Sequence, residues 1–225
     1  MINVKEQQDL LLDISRELKK KMIIYAVGGT AMMFHGLKDA TKDIDLVFIS
    51  EEERREFKRA AMELGYNLFS SISVYGTKPN QPIMLARGKE REERFDLFVK
   101  EVIHFIFSEE MIKRANATYE FDVNLTVKIA NPHDLILMKC ATDRIKDKED
   151  VIDIINKTKI DWEIIINEAL NQIKLGKERA VFYLGTFIDD LVKLKVNIPV
   201  EVQKKIWHLL EKQIKEKNKK GKHFK

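Results

Sequence analysis

The sequence predicts an α+β chain: a strand-and-helix domain over residues 1–130, then an α-helical region over 131–225. Three observations carry this. Up to residue 65, short apolar runs bounded by glycines alternate with amphipathic segments. From there to residue 130, strand-like runs are split by turn residues. From Asn131 onward, apolar residues recur only at helical spacing.

The elements follow in chain order. KEQQDLLLDISRELKK (5–20) places Leu10, Leu11, Ile14 and Leu18 on one helical stripe. MIIYAV (22–27) is a buried strand ended by Gly28-Gly29, and residues 30–36 form at most one short helix closed by Gly36. IDLVFIS (44–50) is a second strand. Ser50, with Glu53 three residues on, is a capping box that opens a helix, and Gly65 stops it. NLFSSISVYG (67–76), PIMLARG (82–88) and RFDLFVK (94–100) read as antiparallel strands separated by GTKPNQ and the charged GKEREE. A helix near 108–115 and strands ATYEFD (117–122) and NLTVKIA (124–130) complete the domain. Asn131-Pro132-His133-Asp134 then combines an N-cap, a first-turn proline and a first-turn acid, and periodic apolar residues follow at 151–155, 162–170, 181–194 and 202–214.

Composition excludes several classes. With 225 residues, 44% hydrophobic and 34% charged, the chain is globular rather than disordered. No apolar run approaches the roughly 18 to 20 residues that span a bilayer. The N-terminal MINVKEQQDL lacks the apolar core of a signal peptide, so a cytoplasmic location without a membrane partner is expected. The single Cys140 excludes an internal disulfide and a cysteine-based zinc cluster. The net charge of +4 is unevenly spread: residues 212–225 contain seven Lys and one Glu, which leaves the rest slightly acidic. Such a tail either attracts nucleic acid through its phosphates or is a solvated terminus.

The chemistry concentrates in VGGTAMMFHGLKDATKDIDLVF (27–48). Asp43 and Asp45 lie two apart and share one strand face, with Ile44 on the other. Either they are strand-end acids facing water, or they are partly buried and need a cation between them. All-oxygen ligands suit a hard divalent ion, Mg²⁺ or Mn²⁺, rather than zinc. Asp96, flanked by Phe95 and Leu97, is the candidate third ligand. Three carboxylates on adjacent strands can hold two metals about 3.5 to 4 Å apart. Gly28 and Gly29 let backbone N–H groups approach a phosphate where a helix begins, and Thr30 adds a hydroxyl.

Gly28-Gly29, a short helix and then Asp43-Ile44-Asp45 resemble the hG[GS]…DhD pattern of the DNA polymerase β-like nucleotidyltransferases, and Asp96 matches that superfamily's third carboxylate. DLILMKCATDRIKDKEDVIDI (134–154) is similar to a segment of the minimal and toxin-type branch, which includes the AbiEii-like enzymes. The resemblance implies a mixed sheet with helices on one side. It also implies transfer of a nucleoside monophosphate from an NTP, ATP among them, to a hydroxyl, with two Mg²⁺ (or Mn²⁺) in place. Asp43, Asp45 and Asp96 would be catalytic and metal-binding. Gly28, Gly29 and Thr30 would cradle phosphates, Lys139 would contact the triphosphate, and Arg144, Lys146, Asp147 and Asp150 would form the polar cluster beside it. Lys42 stands where toxin-type enzymes often carry Arg and Ser, and it would supply the positive charge with a different geometry.

The acceptor has several readings: an RNA such as tRNA, held with help from the basic tail; a hydroxyl of a partner protein in a toxin–antitoxin pair; or a small molecule. A non-catalytic nucleotide-binding module is the reading from a different class, and the intact Asp43, Asp45 and Asp96 argue against it. Plainer readings stand beside these. Lys139 and Asp143 are also an i,i+4 helix pair, and Asp153 is a helix-dipole acid. His35 is a part-packed helix residue, His133 first-turn filler, Asp39 a loop acid and Cys140 a small core residue. Trp162 and Trp207 are packing anchors.

Overall fold

A computed structural model describes residues 1–88, 93–142 and 144–221, with only the backbone of 216–221. The central part of the charged GKEREE connection, the Asp143 partner expected for Lys139 and residues 222–225 of the basic tail lie outside the described residues. The chain divides into two compact units, Met1–Leu135 and the residues from Ile136 onward.

The first unit opens with β1 (Ile2–Asn3) and α1 (Val4–Glu17). Asn3 caps α1 in a capping box with Glu6, and the predicted stripe of Leu10, Leu11, Ile14 and Leu18 is buried. β2 (Met22–Ala26) leads directly into α2 (Gly28–Phe34), which starts two residues earlier than expected. β3 (Ala40–Thr41) pairs antiparallel with β1, a two-residue ladder too short to show periodicity. β4 (Ile44–Phe48) and α3 (Glu51–Glu63) follow, and the Ser50–Glu53 capping box forms as predicted.

The predicted strand over 67–76 is corrected. Only β5 (Asn67–Phe69) is extended, and a single helical turn, α4 (Ile72–Tyr75), follows. The serines explain the break. Ser73 Oγ donates to the Ser70 carbonyl at 2.9 Å and Ser71 Oγ to Gln81 Oε1 at 2.7 Å, local bonds that compete with a ladder. β6 (Ile83–Arg87) and β7 (Glu93–Val99) are antiparallel neighbours, as expected. β8 (Glu101–Val102) and β9 (Phe105–Ile106) form a small hairpin that sequence patterning did not predict. α5 (Glu109–Arg114), β10 (Ala117–Phe121), β11 (Leu125–Ile129) and the start of α6 (Pro132–Lys139) complete the unit.

The sheet is mixed, with seven strands in the order β10-β11-β2-β4-β7-β6-β5 and the β8–β9 hairpin off β7. β11 runs parallel to β2 and β4 parallel to β7, while the other neighbours on this path are antiparallel. α1 and α3 pack together, α1 against β10 and β11 and α3 against β4 and β7. Beneath α3, Phe57 lies edge-on to Phe48 and Phe95 at centroid distances of 5.3 and 5.5 Å. Glu56 ties the two helices: it accepts from the Lys19 N–H at 2.9 Å and from Arg59, which also bonds the Glu17 carbonyl. The Arg59 hydrogen bond, only partly opposed by burial, holds the Glu56 carboxyl down to about 2.

The second unit continues α6 and contains α7 (Ile145–Lys157), α8 (Trp162–Lys174), α9 (Ala180–Lys193) and α10 (Val200–Gly221). α9 meets α10 at Gly185, where a Cβ would fall 2.8 Å from Leu210 Cδ1. Trp162 is buried in α8, as an anchor should be. Trp207 is 46% exposed, which corrects its assignment to packing.

One buried group in α1 runs against the rest of this core. Gln7 is fully buried, and neither its Nε2 nor its Oε1 has a hydrogen-bond partner among the described residues. Desolvating an amide without replacing its bonds costs about 1 to 3 kcal/mol. Gln7→Met, close in volume, is therefore expected to raise the urea midpoint, with a gain of about 1 kcal/mol.

Candidate active site

The site is assembled where β2 ends and β4 begins. The Val27 N–H bonds the Asp45 carbonyl at 3.1 Å, so the exit of one strand is sewn to the entry of the other. Gly28 follows at φ +56°, and a Cβ there would lie 2.4 Å from Asp45 Oδ2. A Cβ on Gly29 would lie 2.6 Å from Thr41 Oγ1. Side chains from the neighbouring strands press against the backbone at both glycines, and at Gly28 the left-handed conformation disfavours other residues as well. The first N–H groups of α2 have no carbonyl one turn back within the helix.

Thr30 differs from its expected role as a phosphate ligand. It is fully buried, and its hydroxyl accepts the Asp45 N–H at 2.8 Å and donates toward the Asp43 carbonyl at 3.5 Å. It positions the Asp-Ile-Asp segment and does not face outward.

Asp43 sits one residue before β4, Asp45 on it, and Ile44 between them is fully buried. Asp45 is the register partner of Asp96 in the parallel β4–β7 pair, so these two carboxylates leave the sheet on the same face. Asp96 is fully buried. Tyr75 Oη donates to its Oδ2 at 2.6 Å, and Arg94 Nε donates to its Oδ1 at 3.0 Å. The Arg94 guanidinium also pairs with Asp43 Oδ2, and Thr41 Oγ1 donates to Asp43 Oδ1 at 3.4 Å. Sequence reading missed both Arg94 and Tyr75. Arg94 was accessible to it, since a residue two before Asp96 on a strand shares its face. Tyr75 carried no signal, because it lay in a stretch read as strand.

The donor set bears on whether divalent ions fit. Three carboxylates, two of them in register, lie beside a glycine turn that a Cβ would fill, and their oxygens suit a hard cation. In the present arrangement the Arg94 guanidinium bridges Asp43 and Asp96, and among the described residues no group of three or more His, Cys, Asp and Glu side chains is placed to hold a metal. The chemistry of these oxygens suits such an ion, and Arg94 occupies two of the three carboxylates.

The second predicted cluster lies in the second unit and is described by itself. Lys139, at the end of α6, is buried and donates from Nζ to Asp147 Oδ1 at 2.9 Å and to Asp150 Oδ2 at 2.6 Å, both on α7. Thr142 Oγ1 and Arg144 Nε also donate to Asp147 Oδ2, the latter at 2.6 Å. Burial pushes the Asp147 carboxyl up, but Lys139, Arg144 and Thr142 outweigh it and hold it down to about 2. Arg144 and Lys146 are exposed, as is Lys42 in the first unit. The Cys140 thiol is buried and raised by desolvation, and it donates to the Leu137 carbonyl, which suits a core residue and not a nucleophile. His35 Nε2–H donates to the Ala130 carbonyl at 2.9 Å, and His133 bonds the Asn131 N-cap side chain. Asp134, expected as a helix-dipole acid, is buried and also accepts from Arg114 Nε at 3.0 Å and Nη2 at 2.7 Å, a bidentate pair.

Residues 7–216 match the model of a family described as nucleotidyl transferase of unknown function. No match was found among curated proteins.

Two outcomes follow from this geometry. Gly28→Ala forces a strained φ and drives a methyl into the Asp45 carboxylate. It is expected to cost about 1 to 3 kcal/mol in thermal or urea unfolding. Lys139→Met removes the ammonium that buried Asp147 and Asp150 share, leaving Arg144 on Asp147, and is expected to cost about 3 to 5 kcal/mol. Because the folded Asp147 carboxyl titrates near 2 against an ordinary 3.8, its contribution is complete above 3.8 and is lost as the pH falls through about 2. Urea unfolding at stepped pH should show about 2 kcal/mol of acid-sensitive stability from this carboxyl in the wild type, and less in Lys139→Met.

Proposed function

The chain belongs to the DUF2204 family, nucleotidyl transferases of unknown function, and on that premise we propose that it moves a nucleoside monophosphate from an NTP to a hydroxyl acceptor, with the Asp43, Asp45 and Asp96 cluster as its active site. One observation carries the reading. The glycine turn lies directly against Asp45, and Asp45 is in register with Asp96, so a phosphate-approach backbone and two carboxylates share one corner of the sheet.

In this reading Gly28 and Gly29 bring backbone N–H groups close to the phosphates, and Thr30 holds the Asp43–Asp45 backbone so that both carboxylates keep their aim. Asp43, Asp45 and Asp96 would hold two Mg²⁺ or Mn²⁺ ions, which when bound neutralise the triphosphate and make the acceptor hydroxyl more acidic. Asp96 takes the side of the acceptor: its Oδ2 becomes available to the hydroxyl proton once Tyr75 Oη withdraws. The new bond forms between the acceptor oxygen and the α-phosphorus, and pyrophosphate leaves. Lys42, exposed and adjacent to Asp43 in the chain, supplies positive charge beside the carboxylates. Lys139, with Arg144, Lys146, Asp147 and Asp150, is the nucleotide-side cluster implied by the resemblance to toxin-type enzymes. Its ammonium is already engaged by two carboxylates, so we assign it first to joining α6 and α7.

For the acceptor we favour RNA, tRNA included, because seven lysines crowd residues 212–225. The test is a transfer assay with each α-³²P-labelled NTP, Mg²⁺ or Mn²⁺, total RNA and cell lysate. Label on RNA is expected, reduced at least a hundredfold or so in Asp45→Asn. Label on a protein band instead would move the reading to a protein-adenylylating enzyme of a toxin–antitoxin pair. NTP binding without label on any acceptor would leave a nucleotide-binding module.

A further inference from the structure

We infer that Arg94 is the resident counter-cation of the carboxylate cluster, and that a divalent ion must displace its guanidinium from Asp43 before it can bind. The inference rests on the nucleotidyl-transfer reading and adds to it a residue that sets the metal affinity of the site. Arg94 is a positioning residue, because it acts through the carboxylates.

Asp43, Asp45 and Asp96 gather at one corner of the sheet, and Asp96 is fully buried. Carboxylates brought together in this way repel one another, and a cation among them offsets that repulsion. A guanidinium provides one permanently, since Arg does not deprotonate in proteins. Its two edges also match two carboxylates at once.

The register makes this placement a property of the fold. Arg94 and Asp96 are two apart on β7 and share a face, and their partners on β6 are Ala86 and Met84. Ile44 is the register partner of Phe95, which brings Asp43, one residue earlier, alongside Arg94. The guanidinium therefore donates through Nε to Asp96 Oδ1 at 3.0 Å and through a terminal nitrogen to Asp43 Oδ2, with that nitrogen 3.4 Å from Asp96 Oδ2. The Arg94 side chain is 17% exposed and that of Asp43 21%, so the pair is largely shielded from water without being sealed from it.

A consequence follows for binding. An ion bound by Asp43 and Asp45 would compete with Arg94 for the Asp43 carboxylate, and a guanidinium beside a divalent cation is repelled by it. Metal binding is then an exchange of one cation for another, and its affinity is lowered by the strength of the Arg94–Asp43 pair. While no metal is bound, Arg94 holds the Asp43 and Asp96 carboxylates in place, at the expense of a weaker hold on the metal.

Two measurements on the full chain at pH 8 test this. In the first, Mn²⁺ binding to wild type, Arg94→Gln and Asp45→Asn is followed by calorimetry and by the free-ion EPR signal, without nucleotide. Arg94→Gln is expected to bind Mn²⁺ about tenfold or more tighter than wild type. Equal or weaker binding by a folded Arg94→Gln would overturn the exchange. The second measurement needs no folded Gln variant. In wild type with ¹⁵N-labelled arginine, the Arg94 Nη protons, identified by their loss in Arg94→Lys, are expected to rotate slowly without divalent ion and freely at saturating Mg²⁺. Restricted rotation that persists at saturation would also overturn it. The underlying reading fails differently: Mn²⁺ affinity unchanged in Asp45→Asn, or no Mn²⁺ binding by any of the proteins, removes the metal site and the exchange with it.

Discussion

Parallel pairing of β4 with β7 is the constraint on which the first unit depends. Its register sets Ile44 against Phe95 and Leu46 against Leu97 on one face, and Asp45 against Asp96 on the other. The apolar pairs build the core under α3, where Phe57 meets Phe48 and Phe95. A slip of one residue would turn the carboxylates into that core and the phenylalanines out of it. The burial that stabilises the domain is therefore the same force that aims the acidic side chains. The site does not need its own scaffold, because it occupies the second face of a register that the core already enforces.

Holding acids in this way creates repulsion, and the structure offsets it with groups drawn from three different segments. Arg94 bridges Asp43 and Asp96, Tyr75 donates to Asp96 from α4, and Thr41 donates to Asp43 from β3. Gly28 and Thr30 act on the backbone side of the same problem. The missing Cβ lets α2 start against Asp45, and the buried hydroxyl accepts the Asp45 N–H. The second unit uses the same device at a separate place. Lys139 neutralises Asp147 and Asp150 and so joins α6 to α7, with Asp147 further held by Arg144 and Thr142. In both places one basic side chain spans two carboxylates, Arg94 at Asp43 and Asp96 and Lys139 at Asp147 and Asp150.

What the sequence by itself determined was whatever depends on near neighbours. The helical stripe of α1, the capping box at Ser50, the Asn131 N-cap and the strands around Asp45 and Asp96 arise from spacing over a few residues, and they form as read. The glycine turn and the Asp-Ile-Asp triplet were legible for the same reason, since close approach of backbone and alternation along a strand are local rules. The serine run at 70–73 showed the limit of such rules. Its apolar alternation resembled a strand, but hydroxyl bonds to nearby acceptors won. Only the tertiary structure decided which charges meet. Asp43 and Arg94 are 51 residues apart, and nothing local in either position names the other. Thr30 became a backbone anchor, and Lys139 an ion-paired joint, once their surroundings were packed around them. An ion pair or a buried hydroxyl takes its meaning from the partner within about 3 Å of it. That partner is set by strand order and register, which local sequence patterns do not specify.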